Sequence, residues 1–303
     1  MYRTFVILRH AFLEAILQPI YLLLVAVGAA ILIVFGLLPF FTMGEDTIMF
    51  KAVGLDVILI LTLIMTLFAT SKSIFDEIED RTMLTLMSKP VRRWEVLVGK
   101  YLGIILAAML AIGIMGAILI LCTYYRIPND YQIRPWTFDD RELKQISDLR
   151  LMHIAGLVPS LILVWFEIAV LAAIGVALST RFSLVVNLPA VILIYIAGNL
   201  TRFLFPLGPE QSPILKLFAR AVALVFPYLA NFDLRSLTVY HEIAIHGTRF
   251  WPKPGAVDAD VVYMSQIWAY VGIAALYGFA YSAFALSAGM WMFKNRELGG
   301  AEG

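Results

Sequence analysis

Hydrophobic residues in this chain form long unbroken runs, and the polar residues gather between them. Residues 21–41 and 101–125 hold no charged side chain. Residues 53–70 carry only Asp56, near one end, and residues 153–179 carry Glu167 near their middle. Residues 184–205 carry Arg202 at the far end, and residues 267–293 are again uncharged. A helix that crosses a bilayer needs about 20 largely apolar residues. The pattern therefore predicts an all-α integral membrane protein with six transmembrane helices, an even number that puts both termini on one side.

The stretches between the runs predict the remaining elements. In residues 1–19, Arg3, His10, Glu14 and Gln18 share one helical face, while Phe5, Leu8, Phe12, Leu13 and Ile16 form the other. This predicts an amphipathic helix lying in the membrane interface and ended by Pro19, with a plain extension of the first span as the alternative. The stretch lacks the short apolar run and small-residue site of a cleavable leader. In residues 126–152, Thr137 stands three residues before Asp140, a helix-start pattern, and the charges nearly cancel. A small solvated helix outside the cytoplasm is expected there. Residues 206–265 form a second extracytoplasmic stretch. Their early segment, 213–227, is apolar but too short to span, carries Lys216 and Arg220 on one face, and is bounded by prolines. It predicts a short re-entrant or interfacial helix between the fifth and sixth spans.

Residues 71–100 are more than a connection between two spans requires. Asp76, Glu77, Glu79 and Asp80 precede an apolar cluster of Met83, Leu84, Leu86 and Met87, and Lys89, Pro90, Val91, Arg92 and Arg93 follow. Ile74 and Ile78 recur at helical spacing, giving one apolar stripe beside a charged face. Pro90 has no amide hydrogen and disfavours a helical residue before it, so a helix, an elbow and the start of the next span are expected. Such a mixed-charge insert suits a handle gripped by a soluble partner.

The order acidic cluster, Thr82, Leu84, Leu86, Ser88, Lys89-Pro90-Val91, Arg92-Arg93 and Gly99-Lys100 resembles the cytoplasmic loop between the second and third spans of ABC type-2 permeases. The closest-looking group is the six-span kind of gliding and nitrous-oxide-reductase maturation systems. Members of the family often carry Gly where Arg81 stands. The turn Leu178-Ser179-Thr180-Arg181-Phe182 and the segment Phe293-Lys294-Asn295-Arg296-Glu297-Leu298 extend the resemblance. It implies a single permease domain over residues 1–303, with residues 71–100 as a cytoplasmic coupling loop. The coupling residues it implies are Glu77, Glu79, Arg81, Thr82, Leu84, Leu86, Lys89, Pro90, Arg92 and Arg93. It further implies ABC ATPase subunits that bind ATP and Mg, and a second permease subunit, identical or related. The cell membrane is then the location, specifically a bacterial inner membrane with both termini cytoplasmic. Lys and Arg density in the short segments at Arg3, Arg9, Arg181, Lys294, Arg296 and residues 71–100 points the same way.

Composition agrees with the membrane reading. Apolar residues make up 61% of the chain and charged residues 15%, against roughly 45–50% and about 25% in soluble domains. Mean hydropathy is +0.85. A formal net charge of +1 argues against a nucleic-acid partner, which calls for a strongly basic surface. The one cysteine, Cys122, lies in an apolar run and has no partner for an intramolecular disulfide.

No enzyme motif stands up. His241 and His246 are five residues apart, about 140° around a helix, so the two-His zinc pattern with its four-residue spacing is missed. Asp139-Asp140 has no second acidic cluster to share a metal. No Gly-rich phosphate loop ending in Lys-Ser or Lys-Thr occurs, so neither a catalytic site, nor a metal, nor a cofactor of this chain's own is expected. Glu167 is the ionisable residue placed deepest in a span, and a carboxylate there costs about 2.5–3.5 kcal/mol on insertion scales. Two readings stay open: Glu167 lines a substrate path or gate, together with Asn187 and Asn199, or it bonds one of those amides as packing glue. The chain reads as the membrane subunit of an ATP-driven exporter. A non-transporting scaffold or force-transmitting subunit is the alternative, with an intramembrane enzyme behind it.

Overall fold

The protein is seen in a computed structural model that describes residues 2–38, 46–79, 92–130, 140–204, 226–239, 242–244 and 261–294. Helix α1 (Tyr2–Leu17) ends at Gln18, whose extended ψ of 131° breaks the chain before α2 (Pro19–Leu37). Proline suits that first helical position because an amide hydrogen there would have no intrahelical acceptor. Then come α3 (Asp46–Glu79), α4 (Arg93–Asp130), α5 (Asp140–Ser179) and α6 (Leu184–Leu204). A 3-10 turn (Leu229–Phe232), the single turn α7 (Arg235–Thr238), strands β1 (Glu242–Ala244) and β2 (Val261–Tyr263), and α8 (Met264–Lys294) complete the order. The strands pair in parallel, Glu242 opposite Val261, as a small ribbon beside an otherwise all-α membrane protein.

Five helices, α2, α3, α4, α5 and α8, are long and apolar enough to cross a membrane. The sixth apolar helix, α6, has a shorter apolar window, Leu184–Leu200. Its 21 residues nevertheless reach about 31 Å at roughly 1.5 Å per residue, the thickness of a hydrocarbon core. Several helices run further than the hydrophobic pattern indicated. α3 begins at Asp46 rather than residue 53, because Lys51 does not go to water: its amine bonds His153 Nδ1 at 3.0 Å, and both side chains are buried. α4 begins at Arg93 rather than residue 101. The Glu95 carboxylate turns back to accept the Arg92 N–H at 2.9 Å, which satisfies one donor of the first turn. The helix expected within 126–152 is not a separate piece, since α5 runs unbroken from Asp140 into the fourth span. All but the end of the expected helix at 213–227 lies outside the described residues.

α5 is the hub, packed on α3, α4, α6 and α8, and its apolar stretch is the most buried of the candidate spans. α8 leans on it along a stripe of Ile267, Val271, Ala274, Gly278, Ser282, Ala285, Gly289 and Phe293. Small residues there bring backbones together: a Cβ on Gly289 would lie 2.7 Å from Ala177 Cα. In membranes, where lipid competes equally for apolar contact, close packing through small side chains is what holds helices together.

The same device docks α1. Gly99 and Gly103, one turn apart on α4, meet Ile7 and Ala11; a Cβ on Gly103 would stand 2.7 Å from both Ala11 Cβ and the Leu8 carbonyl. The buried strip of α1 is thus centred on Ala11 and Ala15, whereas Phe5 and Leu13, expected on one apolar face, are exposed. Small residues win the contact because they let the helices approach. We predict that Gly103→Leu pushes α1 off α4 and lowers the melting temperature of detergent-solubilised protein. The cost should reach about 1–3 kcal/mol or more, as for overpacking elsewhere. An unchanged melting curve would show that α1 is not held there.

Candidate functional site

Three helices turn polar stripes toward one another inside this bundle. On α3 the stripe is Asp56, Thr62, Thr66 and Thr70; on α5 it is Ser160, Glu167 and Ser179; on α6 it is Asn187, Tyr195 and Asn199. Thr62, Thr66 and Thr70, Ser160 and Glu167, and Tyr195 and Asn199 stand four or seven residues apart and so share a face of their helix, and all three helices are in mutual contact. Much of the stripe is buried, with Thr62, Thr70, Ser179 and Asn187 fully so.

Toward the Asp46 end of the bundle the stripes part around a cavity of about 240 Å³. Asp56 from α3, Ser160 and Glu167 from α5, and Tyr195 and Asn199 from α6 line it, and Phe232, Asp233 and Arg235 close it. Arg235 Nη2 lies 2.6 Å from Asp56 Oδ1, and its Nε lies 3.6 Å from Asp233. The Arg235 backbone N–H also donates to Asp233 at 3.1 Å. One turn on, the Thr238 hydroxyl meets Ser160 Oγ at 2.8 Å. These bonds anchor the segment after the 3-10 turn against α3 and α5.

Glu167 sits deep in this cavity, 4% exposed. It is twelve residues, about 18 Å of helix, from the end of α5, which places it near mid-membrane. Its side-chain hydrogen-bond partner is Asn199, and its charged neighbours are Arg235, Asp233 and Asp56. Arg235 pairs with Asp56 and Asp233 at the mouth of the cavity whose depth holds Glu167. The arrangement provides a polar space of several waters' volume next to a nearly buried carboxyl. Among the described residues no group of His, Cys, Asp and Glu could hold a metal ion.

The structure brings Glu167 and Asn199 together and sets Asn187 apart. The Asn187 amide donates to the Gly175 carbonyl at 3.0 Å across the α5–α6 turn, so it clasps that hairpin two turns away from Glu167. Arg93 points back into its own chain: Nη1 donates to the Phe293 and Lys294 carbonyls at 2.6 and 3.0 Å, and the guanidinium lies 5.3 Å from the Phe293 ring centroid. A cation on the last carbonyls of α8 satisfies groups without helical partners and opposes the helix dipole. Arg92 is exposed and opens α4 through its backbone. Glu77 and Glu79 stand on the last turns of α3. Arg81, Thr82, Leu84, Leu86, Lys89 and Pro90 lie outside the described residues.

Arg235 and Asp233 were invisible to sequence reasoning, because their stretch reads as loop. The available signal was Asp56, an acid inside an apolar run that needs a cation from somewhere. We expect Arg235→Met and Asp56→Asn each to destabilise the protein. A double-mutant cycle should give a coupling of about 1 kcal/mol or less, since Asp56 is half exposed and solvent screens the pair. Strict additivity of the two substitutions would contradict the contact.

The chain matches the ABC-2 family transporter protein family over residues 17–185, more than half of its length. No curated protein matches it significantly. The matched region runs from the end of α1 to the start of α6 and so contains α2 to α5, with two of the three stripe-bearing helices described above, α3 and α5. Such permeases normally work with ABC ATPase partners. With its apolar helices and this match, the chain belongs to the ABC-2 transporter family: it is a multi-pass membrane permease subunit of an ABC transporter.

Proposed function

We propose that this permease is half of an exporter, pairing with itself or a related permease and driven by two separate ATPase subunits that hold ATP and Mg. The cavity around Glu167 carries the reading. A buried carboxyl beside a polar space at mid-membrane is costly in lipid and is best accounted for by a solute path or its gate. On this reading residues 71–100 are cytoplasmic and seat on the ATPase, with Leu84 or Leu86 packed in its groove and the flanking charges setting register. Residues 126–152 and 206–265 lie on the other side, and both termini are cytoplasmic in a bacterial inner membrane. ATP binding closes the ATPase dimer, α3 and α4 transmit that motion through their long extensions, and hydrolysis resets them.

The clasp of Arg93 on α8 supports the lever. It ties the start of α4 to the end of the last helix, so a push on residues 71–100 moves both. Sidedness is tested by single cysteines at Ser88 and Ser147 in a Cys122→Ser background, which we expect to label from opposite sides of sealed vesicles. Labelling from one side would defeat the layout. Coupling is tested by Asp substitutions at Leu84 and Leu86 separately. An unpaired charge in an apolar contact costs several kcal/mol, so one substitution should abolish ATPase co-purification or coupled hydrolysis while insertion is preserved. If both variants bind and couple normally, residues 71–100 are not the handle.

A further inference from the structure

We propose that the groove between α1 and α4 binds one acyl chain of an anionic phospholipid, with its phosphate on Arg9. The groove encloses about 620 Å³ and is lined by Phe5, Leu8 and Phe12 of α1 and by a stripe of α4 from Leu106 to Ala117. Arg9 is the one charged residue in its wall. That α4 stripe continues the face that carries Gly99 and Gly103. α1 covers the face at those two glycines, and further along α4 the same face is open. Gly113 lies in the open part, and a Cβ built there meets nothing within 4 Å. Met109, Leu110 and Ile114 are correspondingly exposed at 49%, 42% and 41%.

Three features select a lipid chain as the occupant. The first is length: Leu106 to Ala117 is twelve residues, about 16 Å of helix, close to the roughly 15 Å depth of one leaflet's hydrocarbon. The second is position. α1 crosses α4 beside Gly99, next to the charged residues Glu95 and Lys100 that begin the helix, so the groove starts at the membrane boundary and runs inward. The third is charge. Arg9 is exposed, sits where a headgroup would lie, and has no ion-pair partner among the described residues. A guanidinium matches a phosphate in geometry as well as in charge. Glu14, the carboxylate of α1, lies 3.9 Å from His10 and forms no ion pair with Arg9 among the described residues, so the guanidinium is open to an anionic headgroup.

The proposal is tested in nanodiscs of phosphatidylcholine doped with phosphatidylglycerol, using each lipid in turn with a photoreactive acyl chain. Crosslinks mapped by mass spectrometry should concentrate on residues 5–12 and 106–117 when phosphatidylglycerol carries the label. Gly113→Leu fills open space, so it should keep the wild-type melting temperature and elution volume while losing those crosslinks. Arg9→Gln should reduce phosphatidylglycerol labelling about fivefold, the effect of one basic residue near an anionic surface, and leave phosphatidylcholine labelling unchanged. Labelling spread evenly over the exposed faces of α2 and α8, or unaltered by Gly113→Leu, would overturn the assignment. A Gly113→Leu variant that elutes as a smaller oligomer would assign the groove to a second copy of the chain and overturn it as well.

Discussion

A polar group inside hydrocarbon has no water to fall back on, and this bundle is organised around finding each one a partner within the chain. Arg126 shows the scale of the demand. It is buried, donates to the Phe35, Gly36 and Leu38 carbonyls at 2.9–3.2 Å, pairs with Asp46 at 3.5 Å, and lies over the Phe50 ring. One side chain thereby closes the end of α2, fixes the start of α3 and ties both to α4. Arg93 does the same for α8 at the opposite end. Without these two clasps, carbonyls at the ends of α2 and α8 would lose their partners, and any of them left buried would cost several kcal/mol.

Where that demand is only partly met, the protein has room for function. Thr62 Oγ1, Ser71 Oγ and Asn187 Oδ1 are buried with no hydrogen-bond partner, as is Arg126 Nε; the first three lie on α3 and α6, the helices that frame the cavity, but not in its lining. Buried unsatisfied groups are rare and are commonly served by water. The stripe from Asp56 to Thr70 therefore contrasts with the α5–α8 seam, which is mostly small and apolar, with Ser282 as its buried polar residue. One contact is dry and rigid, and the other holds space and polarity. A transporter needs both kinds: a fixed packing to carry force, and a surface that a polar solute can wet.

Much of the fold was legible as hydrophobic runs, because a membrane asks for length and apolarity before anything else. The runs of α2 and α4 needed no further information. Helix ends were harder to read, since Lys51 and Glu95 looked like interruptions until their partners, His153 and the Arg92 N–H, were in view. The candidate site was half legible. Glu167 stood out as an expensive residue; the structure puts Asn199 beside it and the Asn187 amide on the Gly175 carbonyl, placements that residue type alone does not give. Arg235 and Asp233 come from a stretch with no periodicity, and only tertiary placement reveals them. Two of the short segments that carried the family resemblance meet in space, for Arg93 clasps the Phe293 and Lys294 carbonyls. Sequence could note them separately, not as one assembly.

The central claim is that the cavity beside Glu167 opens and closes with the ATPase cycle. Ser160 offers the most direct probe, because it lines the cavity and cysteine nearly matches its size. In a Cys122→Ser background, reconstituted with the partner ATPases, Ser160→Cys should react with a membrane-impermeant thiol reagent at rates that differ about tenfold or more between nucleotide-free and ATP-trapped states, the effect of roughly 1.4 kcal/mol in access. Equal rates in the two states, with the ATPase shown to be bound and cycling, would contradict the account.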